Sequence, residues 1–327
     1  MPSRTSPPPT HGPINCLHSE TCDIREAPGL HPVANVGRRV LRTIAFEALQ
    51  PVRQLRGDEF VNAWLDCVRC HRHLWKQGVQ QRGPSLSNLT YCRKDGAAHG
   101  VLNDWDLASI EEEHADRYLD RTGSIPFMPL GLLDSPYWAG DIERTYYHDL
   151  ESFIWVLAFV FLSFGEDGKR LKTGPRPADA WETGDYEQCY KEKAAFLNEK
   201  HKGLQSYNSK PPAAWEKEWP LANDLLLIII KQRRREEDAV LFHQRVDPIP
   251  EDAHYKEVLT IMKRYGYSNY VVQRLRAIQC ADLGNCNIIL AMMQVDLDYP
   301  YLHDMDRIES RCAFPYICTM YYHLAYQ

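Results

Sequence analysis

Asn88 and Asp104 stand sixteen residues apart, and the stretch between them reads as two short extended runs around a turn. The runs are Asn88-Leu89-Thr90-Tyr91 and Val101-Leu102, and the turn is Lys94-Asp95-Gly96. A hairpin there would bring a neutral amide oxygen beside a carboxylate. Such a pair suits Mg²⁺, which takes oxygen ligands and keeps several waters and substrate phosphates in its shell. Asn and Asp are also common turn residues, so the pairing draws its weight from what surrounds it.

Other residue patterns point to chemistry less well. Cys67-Val-Arg-Cys70-His71 has the spacing used for covalent haem attachment, but both cysteines fall inside an amphipathic helical pattern. A zinc site from Cys67, Cys70, His71 and His73 would need four side chains on one tetrahedron, which a single straight helix cannot arrange. Thiols at the edge of a core are the simpler reading. Asn88-Leu89-Thr90 is a formal glycosylation acceptor, which requires the secretory route. No Gly-x-Ser-x-Gly elbow and no Gly-x-x-x-x-Gly-Lys-Ser/Thr loop occurs, so neither a hydrolase of that type nor a P-loop enzyme is supported.

The elements that must position these residues are mostly helical. Residues 1–38 carry no sustained period and read as irregular, and Val40 to Phe46 is the best strand candidate in the first half. A helix is predicted to open at Arg56-Gly57-Asp58, with Asp58 as its cap. It carries Phe60, Trp64, Val68, His71 and Trp75 on one face and stops at Gly78. Further helices are predicted from His148 to Phe164, Asp185 to about Lys200, Trp219 to Arg235 and Tyr255 to Tyr265. The fold class expected is α+β, mostly α.

The bulk properties bound the rest. At 327 residues with 44% hydrophobic content, the chain can bury one large core or two modest ones as a soluble globular protein. A net charge of −6 gives no basic field for nucleic acid, and the run from Lys231 to Asp238 reads as a solvated helix face. The longest apolar run, Phe153 to Phe164, is about half a membrane span, so it reads as a buried helix and no membrane partner is expected. The Pro-, Ser- and Thr-rich start lacks a secretory pattern, which points to an intracellular protein whose ten cysteines are thiols.

Three blocks then carry a resemblance: Gly100-Val-Leu-Asn-Asp104-Trp-Asp106-Leu-Ala, Arg121-Thr-Gly-Ser-Ile-Pro-Phe-Met128, and His148-Asp149-Leu-Glu-Ser152-Phe. In this order and at these spacings the chain resembles the fungal-type protein kinase family, from about Arg39 to Tyr265. The resemblance implies a kinase-like domain over 39–265, with hinge and helical lobe, between an irregular segment 1–38 and an atypical extension 266–327. It implies ATP and Mg²⁺ as cofactors if binding is retained, and a protein substrate or partner of unknown identity. Asp104 and Asn88 match the two metal-holding positions, with Trp105 and Asp106 following Asp104. Ala45, Glu47 and Leu49 would lie along the adenine hinge. Thr122, Ser124 and Phe127 would belong to the activation segment where a peptide docks, and Asp149 would anchor the catalytic loop.

Departures from the family pattern bear on activity. The family loop reads His-Arg-Asp-x-Ser-x-x-Asn, whereas this chain has Gln81-Arg82-Gly83-Pro84-Ser85-Leu86-Ser87-Asn88. Arg82 and Ser85 keep their places, but Gly83 stands where the catalytic base would be. Such a base contributes on the order of 10² to 10⁴ in rate, about 3 to 5.5 kcal/mol. Residues 1–38 contain no lysine and no Gly-x-Gly-x-x-Gly, so the upstream lobe looks truncated. Pro129-Leu130-Gly131 replaces the segment-closing Ala-Pro-Glu, which removes an anchoring carboxylate. The expectation is a pseudokinase or kinase fragment, with three alternatives: an active Ser/Thr kinase, a non-catalytic interaction module, or a non-functional remnant.

Overall fold

The computed structural model describes residues 16–23, 39–46, 49–94, 96–104, 109–110, 123–140, 143–172, 176–201, 211–243, 249–267 and 318–323. Its strands and helices run β1 (Cys16–Asp23), β2 (Arg39–Phe46), β3 (Gln50–Pro51), α1 (Gly57–Trp75), β4 (Val79–Gln80), β5 (Leu89–Lys94), β6 (Ala97–Leu102) and β7 (Ser109–Ile110). They continue through α2 (Leu130–Leu133), α3 (Ser135–Trp138), α4 (Tyr146–Ser163), α5 (Tyr186–His201), α6 (Trp219–Leu241), α7 (Glu251–Arg264) and β8 (Cys318–His323). The class is α+β, mostly α. Glu47, Trp105, Asp106 and Thr122, and the side chain of Ala45, lie outside the described residues.

Two compact units divide the chain. One comprises Met1–Leu49 with Val271–Gln327, and its described backbone is a three-stranded antiparallel sheet of order β1-β2-β8. The β-rich run predicted as a strand is β2, with Leu41 opposite Cys22 on one side and Tyr321 on the other. The other unit is Gln50–Tyr270, and it carries the candidate site.

Helix α4 is the centre of that second unit. From Phe153 to Leu162 it is apolar all round and buried throughout, as a helix enclosed by others must be. Helix α1 packs on it through the predicted face: Trp64 donates Nε1–H to the Phe153 carbonyl at 2.8 Å, and Phe60 meets Phe161 with ring centroids 5.6 Å apart. Trp215 stacks on Phe161 at 4.6 Å and donates to the Phe164 carbonyl at 2.8 Å. Each indole thus keeps a partner for its N–H inside the core. Among the described residues, no helix is long and apolar enough to cross a membrane.

Several details differ from the sequence expectation: β1 lies within the segment read as irregular, α7 begins at Glu251 rather than Tyr255, and two further helix ends shift. Asp58 does not cap α1, whose N-cap is Arg56 without a side-chain bond; the Asp58 carboxylate instead accepts from the Tyr267 hydroxyl at 3.0 Å and from Lys217. A carboxylate in the first turn still favours the helix through its dipole. Helix α6 runs beyond Arg235 to Leu241, because the charged run Lys231 to Asp238 faces solvent on good helix formers rather than ending the helix.

The expected hairpin is present. β5 and β6 pair in register from Leu89↔Leu102 to Lys94↔Ala97, and Gly96 in the connection has φ +79°. The hairpin lies flat on α1 at Gly100, whose amide donates to Asp66 Oδ2 at 3.1 Å. A Cβ on Gly100 would fall 1.9 Å from the Ala63 carbonyl oxygen, so only glycine allows this approach.

Candidate functional site

Asp149, in the first turn of α4, is wholly buried and binds three elements at once. Its Oδ2 takes the His71 Nε2 contact from α1 at 2.9 Å and accepts the Arg82 backbone N–H at 3.3 Å. Its Oδ1 accepts Arg144 through Nη2 at 2.6 Å and Nε at 3.2 Å. Burial alone would push the carboxyl up; the Arg144 cation and the His71 bond outweigh it and hold the group well below the usual carboxylate range. The loop after β4 is therefore hung from a charge at the centre of the unit.

That loop is cross-braced over Gln81–Asn88. The Gln81 side chain donates to the backbone carbonyls of Asn103 at 2.7 Å and Asp104 at 3.3 Å, tying the loop to the end of β6. Asn88 donates Nδ2–H to the Gly83 carbonyl at 3.3 Å and accepts from Ser85 at 2.8 Å and Ser87 at 3.0 Å. Gly83 is thus held from both ends, by Asn88 directly and through Arg82 by Asp149. Among the described residues, three other than glycine have positive φ, and two of them are Arg82 at +68° and Asp104 at +65°. Backbone strain of this kind costs roughly 1–3 kcal/mol per residue and persists where the surroundings over-determine it.

The hairpin brings Asn88 and Asp104 to its open end. The Asn103 amide donates to the Asn88 carbonyl at 2.8 Å, which extends the ladder one residue past Leu89↔Leu102, with Asp104 next in line. Asp104 is exposed, and Asn88 is buried with its amide oxygen shared by two serine hydroxyls. An exposed carboxylate fits a divalent cation, whereas a cation on Asn88 would have to displace a hydroxyl.

On the opposite face of α4 a second stretch is held. Residues two apart on a helix point to opposite sides, and Glu151 faces away from Asp149. Glu151 accepts the Leu130 amide at 2.8 Å and Trp155 Nε1–H at 2.9 Å. Lys193 of α5 is wholly buried and donates to the Met128 carbonyl at 2.7 Å. A carboxylate from α4 thus reaches the stretch in which the resemblance implied a removed anchor. Gly131 lies close to His148, whose Nδ1 accepts the Thr145 amide at 2.9 Å; burial, then the Arg144 cation, lowers its pKa to about 4.

Between loop and stretch lies a pocket of about 10 Å³, room for about one water. Gly83 and Pro84 line one side, and Ser124, Phe127 and Met128 line the other. Ser124 is exposed and Phe127 buried, and a Cβ on Gly123 would lie 3.6 Å from the Gly83 Cα. Of the loop residues singled out from the sequence, Gly83 lines this gap together with Ser124 and Phe127, whereas Arg82 and Ser85 are not among its lining residues. Leu49, half-buried, falls in the other unit.

Residues 27–161 match the family model described as fungal protein kinase. The matched stretch is similar to that family over somewhat less than half of the chain. It takes in α1, the cross-braced loop, the hairpin and nearly all of α4, and it stops short of α5 to α7. No curated protein matches the chain.

Within the matched stretch, the Cys-x-x-Cys-His pattern is a packing feature. Cys67 is buried with its thiol pushed well up by burial, while His71 turns to Asp149. His71 on the apolar face of α1 was the available signal for a buried polar partner. Glu151 lies inside the block from His148 to Phe153, where its type signals a role but not a partner. Lys193 and Arg144 had no signal, since each is one basic residue in a polar stretch.

Proposed function

We propose that the Gln50–Tyr270 unit is a kinase-related module in which transfer of the ATP γ-phosphate to protein hydroxyls is disabled at Gly83. The observation that carries this reading is the loop itself: Asn88 and Asp149 hold its backbone in place, while the residue at its centre has no side chain to accept a proton. Geometry without the base forgoes the share of the rate that general acid–base catalysis supplies. When bound, Mg²⁺ would neutralise developing phosphate charge; Asp104 is the residue suited to hold it, with Asn88 available only if its hydroxyl partners shift. The surviving function is then recognition of a protein partner, with or without nucleotide.

Two measurements test this. MgATP titrated against thermal unfolding is expected to raise the midpoint if nucleotide binds the native state, and Asp104→Ala should abolish that rise. Phosphate transfer by the unaltered chain is expected to stay at background, and Gly83→Asp to raise it. Transfer by the unaltered chain that disappears in Asp104→Ala would overturn the proposal and establish an active Ser/Thr kinase.

A further inference from the structure

The stretch Ile125–Gly131 is one 3-10 turn, Ile125–Phe127, followed by the start of α2, and at their junction the Met128 carbonyl and the Leu130 amide need partners from elsewhere. They come from two charged side chains in the core. Lys193 is wholly buried, with Nζ 2.7 Å from the Met128 carbonyl, 4.5 Å from the Trp155 ring centroid and 6.0 Å from that of Trp181. Glu151 is 2% exposed and accepts the Leu130 amide at 2.8 Å. One helical turn before Lys193, Cys189 Sγ lies 3.5 Å from the Ile125 carbonyl oxygen.

Burying an ammonium and a carboxylate among Trp155, Trp181 and Phe196 is costly, and apolar residues of similar volume would fill the space at less cost. What apolar residues could not do is bind backbone. Lys193 takes the last carbonyl before Pro129, and Glu151 takes the first amide after it. Proline lacks an N–H, so these are the polar groups on either side of the position that cannot donate. Burial pulls the Lys193 pKa to about 8 and pushes that of Glu151 up, while each charge favours the other. Two charges from two helices thus converge on one peptide corner.

We propose that Glu151 and Lys193 are positioning residues that fix the corner Met128-Pro129-Leu130, standing in for the carboxylate missing from Pro129-Leu130-Gly131, and so set the wall of the pocket facing Gly83. That this wall serves docking of a protein segment rests on the function proposed above; the fixing itself does not.

The test is amide hydrogen exchange on the full chain without nucleotide, comparing peptides covering 123–133 and 146–163. Glu151→Ala and Lys193→Met are each expected to raise exchange at Leu130 and its neighbours at least tenfold, with little change in 146–163. Glu151→Gln, which keeps an acceptor oxygen, should restore most of the protection, a rescue that loss of packing alone would not show. Equal loosening of both peptides, or none in 123–133, would overturn the proposal. If the alanine variant fails to fold, Glu151→Gln and Lys193→Met still decide it. A positive exchange result beside absent nucleotide binding would keep the corner clamp and discard the nucleotide reading.

Discussion

The loop Gln81–Asn88 and the stretch Ile125–Gly131 face each other across one small pocket, and each departs from the family pattern in a different way. In the loop, on the function proposed above, the frame is kept and the reacting group is absent: Asn88, Gln81 and Asp149 hold a backbone whose centre is Gly83. In the stretch the local anchor is absent and the frame is kept by substitutes, Glu151 and Lys193, reaching in from α4 and α5. The contrast teaches that a positioning role can migrate, because any rigid element can send a donor or acceptor to a backbone group. A proton acceptor cannot migrate so freely, since it must stand within hydrogen-bond reach of the reacting hydroxyl.

The harshest way to break this comparison is to remove what both regions share. Asp149→Ala leaves Arg144 and His71 buried without their carboxylate and frees the Arg82 amide. A loss of about 3–5 kcal/mol is expected, the range for orphaning a buried charge, measured as a shift in the urea midpoint. Asp149→Asn should cost less, since it keeps an acceptor oxygen.

Acid separates the two regions. His148 packs by Gly131 with its folded pKa lowered to about 4 from an ordinary 6.5. Between those values the unfolded chain binds the proton and the folded chain does not, so stability falls as pH drops from 6.5 to 4, by up to about 3 kcal/mol. Glu151, with its pKa raised, works in the opposite sense, so the effect is read as the difference from a His148→Asn variant. The loop side should hold through this window, because Asp149 keeps its charge well below it. An equal pH slope in the variant would show that His148 contributes nothing.

The smallest change sharpens the loop side alone. Gln81→Ala removes the bonds to the Asn103 and Asp104 carbonyls, and a loss of about 1 kcal/mol is expected, as for one ordinary hydrogen bond. Exchange should rise at the open end of the β5–β6 hairpin and stay unchanged in 123–133. Loosening of both would mean that the two regions are coupled through the pocket rather than held separately by α4.

Much of this was legible in the amino-acid order. The α1 face, the buried helix from His148, a turn at Lys94-Asp95-Gly96 and the family blocks are all local patterns, written in residue spacing and turn chemistry. So was the glycine at position 83, where the resemblance implies a base, since a missing side chain is missing in any fold. What required the tertiary structure was every partnership between distant residues. Helix boundaries slipped at Asp58 and Arg235 because capping and solvent exposure depend on what packs nearby. Lys193, sixty-five positions from Met128, carries no mark in a polar helix to show that it points inward. His71, Arg144 and Arg82 meet at Asp149 only because α1, the loop and α4 converge there. Sequence by itself determined which chemical groups exist and which local elements they ride on. Only packing decided which buried charges are paired, because burial and proximity are properties of the assembled core.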